Sequence, residues 1–130
     1  MIVVDASVVV ELIGEHGSAS RLHERILGET LLAPDFLPVE VASALRGLHL
    51  GGHLEDHALV IAADDLLRIP IDLHPSLPLT PRILALRHNF SAYDAAYVAL
   101  AEAFHYPLMT LDRRLAKAAQ AHCEVEVVPA

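Results

Sequence analysis

Apolar residues along the chain fall into short unbroken runs that alternate with stretches of helical period from one end to the other. Residues 1–5 (M-I-V-V-D) are an apolar run ending in an acid, and residues 6–13 follow as a helix closed by Gly14. Residues 18–27 carry Leu22, Ile26 and Leu27 at helical spacing before Gly28, after which residues 30–33 read as a second strand stopped by Pro34. Asp35 is placed to cap a helix that runs to about Leu50, with Pro38 tolerated in its first turn and Gly51-Gly52 as its stop. Residues 54–67 form the next helix, 69–73 a brief strand and 81–88 a short helix. From Ser91 a run dense in helix formers extends to Pro107; residues 108–112 return to strand, 113–121 make a last helix, and 125–128 an edge strand. About five strands thus alternate with seven helices, which predicts a three-layer α/β fold around a parallel sheet.

Composition narrows the setting. The 130 residues make one domain, residues 1–130, able to bury roughly two thirds of its unfolded surface. Hydrophobic residues make up 54% of it, yet no window of ~18 residues is free of charged or turn-forming residues, so no membrane-spanning helix is expected. Asp5 interrupts the first apolar run before the core of a signal peptide can form. A single cysteine, Cys123, excludes an intramolecular disulfide, and the expected location is a reducing cytoplasm. The net charge of −8 argues against a protein that grips nucleic acid through a broad basic surface. A polyanionic substrate then has to be met through bound cations and a few local arginines, or a basic partner has to cover the acidic face.

Four acids carry the candidate chemistry. Asp5 and Asp112 each end an apolar strand, and in an open parallel sheet the carboxyl ends of strands line the ligand crevice. Each has a second reading as a helix N-cap. Asp94 has one too, since Ser91-x-x-Asp94 opens an apolar helix as a capping box does. Glu40 lies among Leu37, Val39, Val41, Ala42, Ala44 and Leu45, where an ordinary solvated face would carry more charge. Carboxylates crowded together resist simultaneous ionisation and need protons or cations to offset them. Their oxygen ligands suit Mg²⁺, with Mn²⁺ as a substitute, and the chemistry that follows is phosphodiester hydrolysis by a metal-activated water. Ser7 and Thr110 bring hydroxyls to the same rim, and Arg113 and Arg114 beside Asp112 are weak candidates to hold phosphate, with Arg46, Arg82 and Arg87 weaker still.

These segments resemble those of PIN-domain nucleases, and within that superfamily the VapC-type toxins of bacterial toxin–antitoxin pairs. The resemblance rests on V-V-D-A-S-V from Val3, V-E-V-A-S-A-L around Glu40, S-A-Y-D-A-A-Y-V-A-L-A from Ser91 and T-L-D-R-R-L from Thr110, whose order and spacing span nearly the whole chain. It implies that Asp5, Glu40, Asp94 and Asp112 form an acidic quartet holding metal, Asp5 and Asp94 foremost, with Ser7 and Thr110 as accessory hydroxyls. It also implies Mg²⁺-dependent cleavage of single-stranded or loop RNA to a 5′-phosphate and a 3′-hydroxyl, and neutralisation by a VapB-type antitoxin whose C-terminal segment enters the groove; the acidic groove and abundant aliphatic surface suggest that this segment is basic and that the chain self-associates as a homodimer. Residues from about Leu50 to Arg87 carry no recognisable motif.

The competing readings are specific. His49, His53 and His57 recur at a spacing of four, as metal ligands on one helix face would, but Gly51-Gly52 breaks that face. An aspartate-nucleophile phosphatase wants a second acid two residues after Asp5, where Ser7 stands, and a phospho-receiver domain wants an acidic pair at the first strand end and a lysine late in the sheet. The alternative from another class is a catalytically inactive PIN-like module that binds proteins only. The filled quartet opposes it, since a module freed from catalysis has no need of four mutually repelling acids.

Overall fold

A computed structural model describes residues 1–13 and 19–129, with the side chains of residues 19 and 20 outside the description. The strands are β1 (Ile2–Val4), β2 (Leu31–Pro34), β3 (Ile71–His74), β4 (Leu108–Thr110) and β5 (Val125–Val127). The helices among the described residues are α1 (Ala6–Leu12), α2 (Ala19–Ile26), α3 (Leu37–Leu50), α4 (Asp56–Arg68), α5 (Thr80–Ala85), α6 (Ala92–Phe104) and α7 (Arg113–Ala119), with a 3₁₀ turn at Leu77–Leu79. All five strands are parallel, in the order β3-β2-β1-β4-β5, with Val3 opposite Leu32 on one side and Leu108 on the other. β5 is an edge strand, as its position and pattern predict.

Parallel pairing requires a crossover after every strand, and helices supply each one. α1, α2, α3 and α4 pack on one another, whereas α6 lies with α5 and touches β1, β2 and β4. β1 is buried at all three positions and β2 at all four, as expected for strands covered on both faces. α6 is buried without a break from Ala95 to Ala101. Four alanines in that run leave room for close backbone approach, so the helix that carries Asp94 is held tightly against the sheet. No helix among the described residues is long and apolar enough to cross a membrane.

Element boundaries depart from the sequence pattern in a few places. Asp35 does not cap α3: the N-cap is Phe36, without a side-chain bond, and the Asp35 N–H instead donates to the His74 carbonyl across the sheet. Pro34 joins β2 at its last ladder position, where its missing N–H costs least, and the pairing shifts β3 to Ile71–His74. Gly14 and Ser18, read as a helix stop and a helix start, lie outside the described residues. Gly51 is the C-cap of α3 and Gly52 has φ 79°, so the double glycine ends the helix as expected.

Candidate active site

The sheet order makes β1 and β4 neighbours and makes the gap between them the place where the direction of winding reverses, β2 and β3 lying to one side and β5 to the other. Loops leaving two such strands diverge, so a crevice opens at their carboxyl ends. Asp5 follows β1 and Asp112 lies two residues beyond β4, and both stand on that rim.

Asp5 is only 6% exposed and caps α1. Its Oδ1 accepts from the Ser7 hydroxyl at 2.5 Å and the Val8 N–H at 3.2 Å, and its Oδ2 accepts from the Thr110 hydroxyl at 2.5 Å. The two hydroxyls are themselves held by the chain leaving β4: Ser7 Oγ accepts from the Leu111 N–H at 3.0 Å, and Thr110 Oγ1 from the Asp112 N–H at 2.9 Å. Each hydroxyl therefore has its proton aimed at Asp5 and its lone pair occupied. Burial pushes the Asp5 carboxyl above its ordinary pKa, and the Asp112 charge adds to this while the three hydrogen bonds oppose it.

Glu40 enters from the first turn of α3 and is half-buried. Its Oε1 accepts a 2.7 Å hydrogen bond from the phenol of Tyr97 on α6. Burial raises its pKa, the Tyr97 bond opposes that, and the Asp94 and Asp5 charges add to the rise. The phenol is itself buried and beside a carboxylate, which pushes its own pKa up and keeps it a donor. Asp94 stands on the same helix, three residues before Tyr97, and is also raised by burial first, then by the charges of Asp112 and Asp5. Ser91 and Arg114 partly offset this. Mutual charge effects link Asp5 with Asp112, Glu40 with Asp94 and Asp5, and Asp94 with Asp112 and Asp5, across up to 107 positions of the chain.

Cap and site are compatible roles because a carboxylate has two oxygens. Asp112 caps α7 through Oδ1 alone, accepting from the N–H groups of Arg114 at 2.9 Å and Leu115 at 3.2 Å. At the start of α6 the cap is Ser91, whose Oγ accepts from the Asp94 N–H at 3.1 Å. The Asp94 carboxylate faces the acidic rim and is itself eased by the Ser91 hydroxyl.

The donor set suits a hard divalent cation. It offers carboxylate oxygens, and among the described residues no member of the quartet is in an ion pair with Lys, Arg or His. Three of the four have raised proton affinity, in each case through burial first and then through the charge of neighbouring acids. No three His, Cys, Asp or Glu side chains among the described residues converge into a ready-made cage. Mg²⁺ does not require one, since it takes one or two carboxylates and completes its shell with water and phosphate oxygens.

Other sequence candidates separate cleanly. Arg114 lines a cleft of about 430 Å³ with Asp94 and Asp112, whereas Arg113 is exposed and outside it. Arg82 is committed to a bidentate pair with Glu102 at 2.8 and 2.9 Å, and Arg87 donates to the Leu84 carbonyl. His49 binds the Leu54 carbonyl at 2.8 Å and faces Asp56, while His57 faces Glu55, so these histidines do not share a ligand. Tyr97 was not singled out by the sequence pattern; its spacing of three from Asp94 on one helix was the available signal.

Comparison with known proteins agrees with this geometry. Residues 2–121 match the model of the PIN domain family. Two curated relatives from Mycobacterium tuberculosis are similar over almost their full lengths: ribonuclease VapC12, 38% identical over 128 residues covering 98% of this chain and 99% of that one, and ribonuclease VapC9, 40% identical over 129 residues covering 99% of both. Among solved structures, a chain of the VapBC2 complex from Rickettsia felis, bound to a promoter DNA fragment, superposes with a TM-score of 0.70 at 15% identity, covering 99% of this chain and all of that one. An acidic rim at the switch point of a five-stranded parallel sheet, and near full-length likeness to these relatives, make this chain a member of the PIN domain family, in its VapC branch.

Proposed function

We propose that this protein is a divalent-metal-dependent endoribonuclease, the toxic component of a type II toxin–antitoxin pair acting in the cytoplasm. The observation that carries the reading is the quartet itself: four acids that make no ion pair with Lys, Arg or His among the described residues, three of them with raised proton affinity, at the crevice of the sheet. Asp5 and Asp94, with Glu40 and Asp112, are the residues that would hold Mg²⁺ or Mn²⁺. Such an ion, when bound, supplies positive charge to the scissile phosphate and a more acidic water.

The chain's own groups do the rest. Ser7 and Thr110 hold both oxygens of Asp5 in a fixed orientation, so that carboxylate meets its ligand without reorganising. The phenol of Tyr97 fixes Oε1 of Glu40 and leaves its second oxygen to accept a proton or orient a water. Asp94 and Asp112 complete the negative rim, and the Asp112 carboxylate is anchored by the α7 cap.

The relatives named as ribonucleases support RNA as substrate, and the VapBC2 complex supports a VapB-type antitoxin as partner. A basic C-terminal antitoxin segment would satisfy the same unpaired carboxylates, and homodimerisation accompanies that partnership in this reading. The test is direct: purified protein with single-stranded RNA and Mg²⁺ yields fragments, EDTA stops the reaction, and Asp94→Asn abolishes it. Cleavage that persists in EDTA, or in the Asp94→Asn protein, overturns the assignment.

A further inference from the structure

Nine Lys and Arg residues have to serve a chain of net charge −8. Three of them, Arg25, Arg68 and Arg82, make ion pairs with carboxylates among the described residues. Of the other six, Arg113, Arg114 and Lys117 are gathered on the seven residues of α7, directly behind the acidic rim. Arg114 and Lys117 are three apart and share one side of the helix, and both line the cleft of about 430 Å³ that Asp94 and Asp112 border. Asn89 lines the same cleft, with Phe90 and Leu115 among its apolar lining. The volume lies within the roughly 300–1,000 Å³ usual for small-molecule sites.

Building on the ribonuclease reading, we propose that this cleft is a substrate subsite in which Lys117 and Asn89, with Arg114, hold the RNA phosphate next to the scissile one. A polyanion approaching four carboxylates is repelled unless the neighbouring phosphate is compensated, and this cleft brings together, beside that rim, two cations that make no ion pair with a carboxylate among the described residues. Lys117 supplies a point charge on a flexible stem and Arg114 a planar fork, while Asn89 brings both donor and acceptor to the sugar or phosphate. The subsite positions substrate; it does not hold the metal.

Lys117→Gln in the full chain tests it, with single-stranded RNA oligonucleotides and Mg²⁺ between about 50 and 200 mM salt. KM should rise about 5- to 10-fold with kcat within twofold, and the slope of log affinity against log salt should shrink by about 0.7, the loss of one phosphate contact on a single strand. Lys117→Arg should restore most of the affinity, Asn89→Ala should raise KM without changing the salt slope, and Arg68→Gln should match wild type. Mg²⁺ binding measured on protein alone should be unchanged in Lys117→Gln. Wild-type KM and salt slope in Lys117→Gln would overturn the subsite. Should the wild-type protein bind RNA without cutting it, the ribonuclease reading fails, and the subsite is still judged by the loss of RNA affinity in Lys117→Gln; a wild-type protein that neither cuts nor binds RNA overturns both.

Discussion

The phenol of Tyr97 donates a 2.7 Å hydrogen bond to Oε1 of Glu40, joining two helices that are 57 positions apart in the chain at that point. The bond stabilises the charged form of Glu40 against the burial that disfavours it. Tyr97→Phe removes only the hydroxyl, and the ring keeps its edge-on contact with Phe36 at 5.7 Å. Stability should fall by about 1 kcal/mol. The pKa of Glu40 should rise further, so the acidic limb of the activity–pH profile should move to higher pH. A profile identical to wild type would remove Tyr97 from the site.

Thr110→Val is close in shape but lacks the hydroxyl that donates to Asp5 Oδ2 and accepts from the Asp112 N–H. Thr110 is fully buried, so the variant leaves a buried acceptor and a donor without their partner. Unfolding free energy should drop by roughly 1–3 kcal/mol in denaturant titration, and RNA cleavage should fall at least tenfold, because the Asp5 carboxylate loses one of its three hydrogen bonds. Ser7→Ala removes a second hydroxyl from the same carboxylate and should act in the same direction. A Thr110→Val protein of full activity would confine the hydroxyl to a structural role.

Ser91→Ala and Asp94→Asn separate the cap from the rim. Ser91 holds the Asp94 N–H, and its loss should cost about 0.5–2 kcal/mol while leaving cleavage in place. Asp94→Asn should retain or gain stability in metal-free protein and lose activity. The pH dependence has a definite sign. The folded pKa of Asp94 lies above its ordinary value of 3.8, so the folded state binds more protons and the carboxylate costs stability as pH rises through that window. The advantage of Asp94→Asn over wild type should therefore be absent well below pH 3.8, grow as pH climbs through the raised pKa, and then level off. Thermal melts of both proteins from acid to neutral pH measure it.

Divalent metal should raise the melting midpoint, because a ligand bound only by the folded state stabilises it and here also relieves carboxylate repulsion. At a concentration one hundred times its Kd the gain is about 2.7 kcal/mol, which corresponds to a shift of roughly 5–15 °C for a chain of this size. The shift should shrink sharply in Asp5→Asn and Asp94→Asn and persist in Lys117→Gln. A midpoint unmoved by millimolar Mg²⁺ and Mn²⁺ would count decisively against a metal site.

Local chemistry accounts for what the sequence determined by itself. Strand, acid and helix follow one another at residues 2–12 and again at 108–119, because apolar runs, N-capping aspartates and helix formers act within a few residues of each other. The same local rules place Ser91 as a cap and end α3 at the double glycine. They fail at Asp35, where the backbone N–H is drawn across the sheet to His74, a partner that no local window contains. Tertiary structure alone decided that β1 and β4 are neighbours, since they are far apart in the chain and the order of strands in a sheet is fixed by how the crossovers pack. That adjacency brings the Thr110 hydroxyl to Asp5 across 105 positions, and helix packing likewise sets Tyr97 against Glu40 and gathers Arg114 and Lys117 into one cleft with Asp94 and Asp112. A sequence lists the four carboxylates; the burial and mutual charge that raise the proton affinity of Asp5, Glu40 and Asp94 exist only once the chain has packed.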